Sequence, residues 1–195
     1  MSRNSQNTPL IETVHLKKYF DTGSGVLHAV DDVNLTISPQ KTLGVVGESG
    51  CGKSTLGRTI LRLTPATEGK ILYNGKDILS CNPNQLRELR KEMQIIFQDL
   101  FQPESAYDGQ RADRGTLVVN RVMKNKAQLR ERVAELMETV GLAPRLESAY
   151  PHELDGGRRQ RIGIARALSV NPKFIVCDEP VSAWMCPFRR RSSTC

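Results

Sequence analysis

Residues 47–55 read GESGCGKST, which meets the spacing GxxxxGK[ST]. A polyphosphate needs several backbone N–H groups converging on it, and only glycines let a chain curl that tightly. Gly47, Glu48, Ser49, Gly50, Cys51 and Gly52 would form such a cradle. Lys53 would bring a point charge to the terminal phosphates, and Ser54 and Thr55 open a helix whose N-terminal dipole favours anions. The Ser54 hydroxyl suits Mg²⁺. A second acidic feature lies in FIVCDEP, residues 174–180. There Asp178 follows a largely apolar run, as expected of a strand-end carboxylate holding an ion's hydration shell, and Glu179 is next to it as a group able to polarise an attacking water.

The elements around these residues must hold them in place. LIETVHLKKYF (10–20) alternates apolar and polar residues and reads as a strand. DTGSG then turns the chain, and VLHAVDDVNLTISPQ supplies two short strands. TLGVVG (42–47) is a continuous apolar run, the pattern of a strand buried on both faces. KSTLGRTILRL carries Leu56, Ile60 and Leu63 at helical spacing and ends before Pro65. GKILYNGKDI (69–78) reads as a hairpin around Asn74–Gly75. NQLRELRKE (84–92) is a charged helix and MQIIF (93–97) a buried strand. AQLRERVAELMETV (127–140) is a helix with Leu129, Val133, Leu136 and Val140 on one face and Gly141 as its stop. RRQRIGIARALSV (158–170) is a further helix, broken by Pro172 before the FIVCDEP strand. Alternating strands and helices point to an α/β domain with parallel strands at its centre.

Composition narrows the function classes. The 195 residues carry a net charge of +7, with 38% hydrophobic and 25% charged residues. No run of about 18 apolar residues is long enough to span a bilayer. The N-terminus lacks the apolar core of a secretory signal, so a cytosolic chain is expected. The five cysteines form no CxxC pair and match no zinc pattern, and Cys177 is expected to be a buried, reduced thiol in its strand. Arg158, Arg159, Arg161 and Arg166 cluster in one helix without interleaved aromatic residues, so no nucleic-acid partner is expected.

Taken together, AVDDVNLTI, TLGVVGESGCGKSTLGRTILRL, the GKDI hairpin, MQIIFQD and YPHELDGGRRQRIGIARALSVNPKFIVCDEPVSA resemble the ATP-binding subunits of ATP-binding-cassette transporters, and within them the oligopeptide/dipeptide importer ATPases. The resemblance covers most of residues 10–184. It implies a P-loop NTPase of the ATP-binding-cassette type: one partial domain over 1–195, a helical subdomain inserted at about 99–160, and an atypical tail at 184–195. It implies ATP and Mg²⁺ as cofactors. Tyr19 matches the aromatic residue that stacks on adenine, and Gly47 to Thr55 match the Walker A loop. Gln98 matches the glutamine that reaches Mg²⁺ and the attacking water, Asp178 the Walker B aspartate, and Glu179 the catalytic base. Expected partners are a second ATP-binding-cassette subunit and membrane permease subunits, with the chain peripheral to the cytoplasmic face of the membrane.

Three features depart from that pattern. The family signature LSGGQ is here LDGGR (154–158), and Asp155 brings a negative charge towards a negative ligand at a Coulomb cost on the order of 1 kcal/mol. Residues 99–120 do not follow the family continuation and resemble a local reading-frame disturbance. The chain also stops before the D-loop and the switch histidine, which leaves the expected core without its C-terminal part and with an exposed sheet edge. His15, His28 and His152 do not replace that histidine, because none follows the Walker B strand. Three readings therefore stand side by side: an ATPase subunit powering peptide import, a non-catalytic nucleotide-binding or regulatory module, and an inactive fragment of such a subunit.

Overall fold

The structure is a computed structural model that describes residues 8–97, 126–147, 149 and 153–178. Gln98, Glu179, His152, the 99–120 segment and the 184–195 tail lie outside the described residues. The chain forms two compact units that divide between Gln94 and Ile95.

The first unit is built on a long hairpin. Strand β1 (Ile11–Thr22) returns through Gly23–Ser24 into β2 (Gly25–Ile37), a single strand where the sequence suggests two short ones. Thr22 ties off the turn by donating from its hydroxyl to the Gly25 carbonyl at 2.6 Å. The two strands are not regular ladders. His15 and Asp32 both adopt left-handed backbone conformations, at φ 48° and 49°, a region in which His and Asp are over-represented among non-glycine residues. The register shifts between Thr13 and Leu16. One extra residue there reverses the alternation, so β1 sends Ile11 and Thr13 inward and then Leu16. Without that bulge Leu16 would face solvent.

Strand β3 (Glu68–Tyr73) pairs antiparallel with β1, and β4 (Lys76–Asp77) completes a sheet ordered β2-β1-β3-β4. The expected Asn74–Gly75 turn joins β3 to β4, with both residues at positive φ. Gly69, at φ 92°, lies where a side chain would strike the His15 and Leu16 backbone, so the bulge in β1 requires a glycine opposite it. Ile11, Leu16, Ile71 and Ile78 are fully buried and form the centre of this unit. Helix α1 (Lys53–Ile60) packs against β1 and β2. It ends sooner than the spacing of Leu63 suggests, because Arg62 turns into the left-handed region at φ 52° and donates from its guanidinium to the carbonyls of Ile78 and Cys81.

Helix α2 (Pro83–Glu92) opens on a reciprocal cap. The Asn82 side chain accepts from the Gln85 N–H, and the Gln85 side chain accepts from the Asn82 N–H, satisfying two orphan donors at once. Its last residue, Glu92, accepts the hydroxyl proton of buried Tyr73 at 2.6 Å. Burial first, and then this carboxylate, drives the Tyr73 hydroxyl well above its ordinary titration, so it stays a donor.

The second unit contains helix α3 (Lys126–Thr139) and helix α4 (Gly156–Leu168). Val133, Met137 and Leu142 form its buried cluster, with Val140, Leu146 and Ile162 packed on it. Gly141 ends the helical region at φ 68°, and Leu142 donates back to the Met137 carbonyl at 2.8 Å, a Schellman-type closure. Arg161 of α4 then donates to the Gly141 carbonyl, placing a cation at the negative end of α3. Strand β6 (Phe174–Cys177) pairs with β5 (Met93–Ile96), the strand at the division between the units. Cys177 is exposed rather than buried.

Residues 42–47 differ from expectation. They form no strand, and Leu43, Val45 and Val46 are 47%, 50% and 96% exposed. A strand buried on both faces needs a hydrogen-bonded neighbour and packing on each side. Neither described sheet takes up this segment.

Two outcomes follow from these contacts. Tyr73→Phe is expected to destabilise the protein by about 1 kcal/mol, because it removes the hydroxyl hydrogen bond to the Glu92 carboxylate, as measured by urea denaturation. Val46→Lys is expected to shift stability by less than about 0.5 kcal/mol, the range of surface substitutions; a loss of several kcal/mol would put Val46 in an interior.

Candidate functional site

The glycine-rich loop is seated against the hairpin. Gly50 and Gly52 take φ values of 82° and 93°, which an L side chain adopts only under strain. At Gly52 there is also no room, since a Cβ would collide with the Ala29 carbonyl oxygen on β2. Gly52 is the N-cap of α1, and its carbonyl accepts the first helical hydrogen bond from the Leu56 N–H at 2.8 Å. Having no side chain, it cannot cap the helix, and no acidic residue occupies the first turn. The positive end of α1 therefore opens onto the loop.

Lys53 folds back over the loop. Its ammonium donates to the carbonyls of Gly47 at 2.8 Å and Glu48 at 2.6 Å, and approaches the Cys51 sulfur at 3.7 Å. The Cys51 N–H closes a turn on the Glu48 carbonyl at 3.3 Å. A cation, a row of backbone amides and a helix N-terminus thus share the short stretch from Gly47 to Thr55. That arrangement suits an anion of several phosphates.

Tyr19 lies on β1 directly opposite His28 of β2. The two rings are stacked with centroids 3.9 Å apart and planes 20° from parallel. The Tyr19 hydroxyl donates to the Asp31 carboxylate at 2.5 Å, and His28 Nδ1 lies 3.6 Å from the other Asp31 oxygen. Tyr19's own hydrogen bond is the chief influence holding the Asp31 carboxyl below its ordinary value, while the same bond raises the tyrosine hydroxyl. His28 is the residue before Ala29, whose carbonyl touches Gly52. The ring pair and the phosphate loop therefore meet along one stretch of β2. His28 and Asp31 did not emerge as site residues from sequence reasoning, although counting outward from the Gly23–Ser24 turn pairs position 19 with position 28.

Asp178 belongs to the second unit, where its N–H donates to the Ile96 carbonyl at 2.9 Å and carries the β5–β6 pairing one residue past the strand. Among the described residues no group of three or more His, Cys, Asp or Glu could hold a metal ion. Ser54 is the second residue of α1, with a hydroxyl oxygen of the kind Mg²⁺ takes, and Asp178 follows β6 in the second unit with a carboxylate of the same kind. In the second unit, Asp155 is the N-cap of α4. Its carboxylate accepts from the Arg158 N–H at 2.7 Å and lies 3.3 Å from the Arg158 guanidinium. The unusual acid thus has a helix to cap and a cation to face, which partly offsets its charge.

The depressed Asp31 titration has a definite sign. A folded value below the unfolded one keeps the Tyr19–Asp31 bond intact above the ordinary 3.8, and the bond is lost only as pH falls through the lowered folded value. The Asp31 carboxyl carbon resonance followed by NMR is therefore expected to titrate with a midpoint below the ordinary 3.8, and to lose that displacement in Tyr19→Phe. At the α4 cap, Asp155→Ala is expected to cost about 1 kcal/mol in chemical denaturation, whereas Asp155→Ser, another good cap, costs only a few tenths.

Comparison with known proteins bears on the same residues. Residues 30–182 match a family described as ABC transporter. The chain is 47% identical over 178 residues to the oligopeptide transport ATP-binding protein OppF of Bacillus subtilis (strain 168), covering 89% of this chain and 58% of that protein. It is 44% identical over 181 residues to the dipeptide transport ATP-binding protein DppF of Lactococcus lactis subsp. cremoris (strain MG1363), covering 89% and 57%. Among solved structures it is similar to a dimeric bacterial ABC transporter cassette, with TM-score 0.75 and 26% identity over 89% of this chain and 75% of that one. A dimeric post-hydrolysis state of an ATP-binding cassette bound to ADP and Pi gives TM-score 0.76 and 25% identity over the same shares. The chain spans 57–58% of the length of the two transport proteins.

Proposed function

The chain belongs to the ABC transporter family, and on that premise we propose that it binds ATP and serves as the ATP-binding subunit of a peptide importer. The observation that carries this reading is the loop itself: Gly47 to Thr55, with two left-handed glycines, the Lys53 ammonium folded over it and an uncapped helix N-terminus behind it. Relatives bearing the names of oligopeptide and dipeptide transport ATP-binding proteins support peptide as the cargo.

In this reading the triphosphate lies along the loop and takes Lys53 from the carbonyls of Gly47 and Glu48, exchanging neutral acceptors for a charged one. Backbone N–H groups at the start of α1 hold the same oxygens, and Tyr19 stacks on the adenine. Mg²⁺ bound with the nucleotide would neutralise charge on the phosphates, with Ser54, Asp178 and Gln98 as its protein-side groups. Glu179 would take the proton from a water attacking the γ-phosphate in line. A second ATP-binding subunit and membrane permease subunits are the partners, with this chain peripheral at the cytoplasmic face. No helix among the described residues is long and apolar enough to cross a membrane.

A second reading, a nucleotide-binding module without turnover, is favoured by Asp155. In the importer reading the partner's γ-phosphate meets the α4 N-terminus, and here a carboxylate already occupies that position and is engaged with Arg158.

Equilibrium binding of an ATP analogue with the fluorophore on its ribose, in the presence of Mg²⁺, tests the proposal. Saturable binding that falls at least tenfold in Lys53→Ala is expected, the loss of one charge-assisted contact. Absence of binding by the unaltered chain would overturn it. Phosphate release measured with and without Asp155→Ser separates the two readings: turnover gained by the serine variant supports the subunit, and binding without turnover in both supports the module.

A further inference from the structure

His28 is the one aromatic neighbour of Tyr19 among the described residues, and its placement serves no core. Both His28 and Asp31 are exposed on β2, yet together they clamp Tyr19 from two directions. The imidazole stacks on one face of the phenol at 3.9 Å, while Asp31 accepts from the hydroxyl at 2.5 Å. Those two contacts remove the freedom of the ring to swing about its side-chain torsions. The Tyr19 N–H is also fixed by the Thr67 hydroxyl at 2.9 Å, so the backbone beneath the ring is tied to the segment entering β3. Nearby charges are balanced locally: Lys17 pairs with Glu68, and Lys18 lies over the Phe20 ring.

We propose that His28, with Asp31, is a positioning residue for nucleotide binding: it backs the Tyr19 ring so that the base of the nucleotide stacks on the opposite face, forming a three-layer His28–Tyr19–base stack. The proposal rests on the reading of Tyr19 as the base-stacking residue. Its physical content is preorganisation. A ring already held in its bound orientation loses no rotamer freedom when the base arrives, and that saving appears as affinity. The geometry also links the base to the phosphates. Because the carbonyl of Ala29, the next residue on β2, lies close against Gly52, the same strand adjoins both the ring pair and the loop. The arrangement fits a planar aromatic base with a polyphosphate attached, and has no part in holding polyphosphate alone.

The test uses the full chain and two ligands, ATP and inorganic tripolyphosphate, each competing with the ribose-labelled ATP analogue. His28→Ala is expected to weaken ATP by about 3- to 10-fold, the affinity equivalent of one aromatic pair, and to leave tripolyphosphate unchanged. His28→Phe, which keeps a flat ring against Tyr19, should restore ATP affinity. Tyr19→Ala combined with His28→Ala should be no weaker than Tyr19→Ala alone, since the two residues act as one unit. Lys53→Ala should weaken both ligands, which checks the phosphate site independently. If ATP binds and Lys53→Ala weakens it while His28→Ala leaves it unchanged or tightens it, the positioning role is overturned and the nucleotide reading survives. Equal loss of ATP and tripolyphosphate in His28→Ala would overturn the positioning role as well, by showing a general effect on the loop. If the unaltered chain binds neither ligand, both readings fall.

Discussion

The close approach of Gly52 to the Ala29 carbonyl is the constraint on which the first unit's chemistry depends. It requires the absence of a side chain, a left-handed backbone and a strand passing directly behind the loop. From that single backbone contact the rest follows in order. Gly52 starts α1, α1 lies on β1 and β2, and Lys53, one residue later, is placed to fold over the loop it has just left. The contact also decides what adjoins the loop, because the residue before Ala29 is His28 and the residue across from His28 is Tyr19. The glycine-rich loop and a stacked ring pair thus adjoin one stretch of β2 backbone and need no shared side-chain network.

The second unit solves a different problem at its helix end. A helix N-terminus can be satisfied either by a side chain of the protein or by an incoming anion. At α1 the N-cap is a glycine, and no side chain takes that role. At α4 Asp155 takes it, and Arg158 answers the carboxylate. The two helices therefore present opposite electrostatic characters at the same structural position. Asp155 makes α4 a better-capped helix and a poorer acceptor of an incoming anion, so capping and anion binding pull against each other at that residue.

Local features were legible in the sequence, and features that depend on a distant neighbour were not. The Asn74–Gly75 turn, the charged helix read over 84–92 and the Gly141 stop each follow from a few adjacent residues, and each appears there, the helix starting one residue sooner at Pro83. The ATP-binding-cassette fold was legible through the resemblance, and of the strand, loop and helix that the glycine-rich motif implies, the loop and helix form while residues 42–47 make no strand. The bulge at His15 was hidden, since nothing at that position signals a left-handed backbone until Gly69 is seen opposite it. The early end of α1 was hidden for a similar reason: Arg62 leaves the helix to reach the carbonyls of Ile78 and Cys81, which lie well down the chain. At the candidate site, motif and resemblance singled out the loop and Tyr19 as nucleotide-binding candidates. His28 and Asp31 carried no motif and became visible only through cross-strand register.

The segment before the loop shows how far local support extends. Leu43, Val45 and Val46 have the composition of an interior strand and stand exposed. A strand of that kind has no stability of its own, because its hydrogen bonds and its apolar faces both need partners from elsewhere in the chain. The loop that follows it has a separate source of order. Its conformation is held by the Gly52–Leu56 hydrogen bond that starts α1 and by the grip of Lys53 on Gly47 and Glu48, with the Ala29 carbonyl lying close against Gly52. The grip of Lys53 closes the loop on itself with charge-assisted bonds and requires nothing N-terminal to Gly47. The glycine-rich loop can therefore keep its shape while the apolar run leading into it stays unpaired, since the two features draw on different interactions within one short stretch of chain.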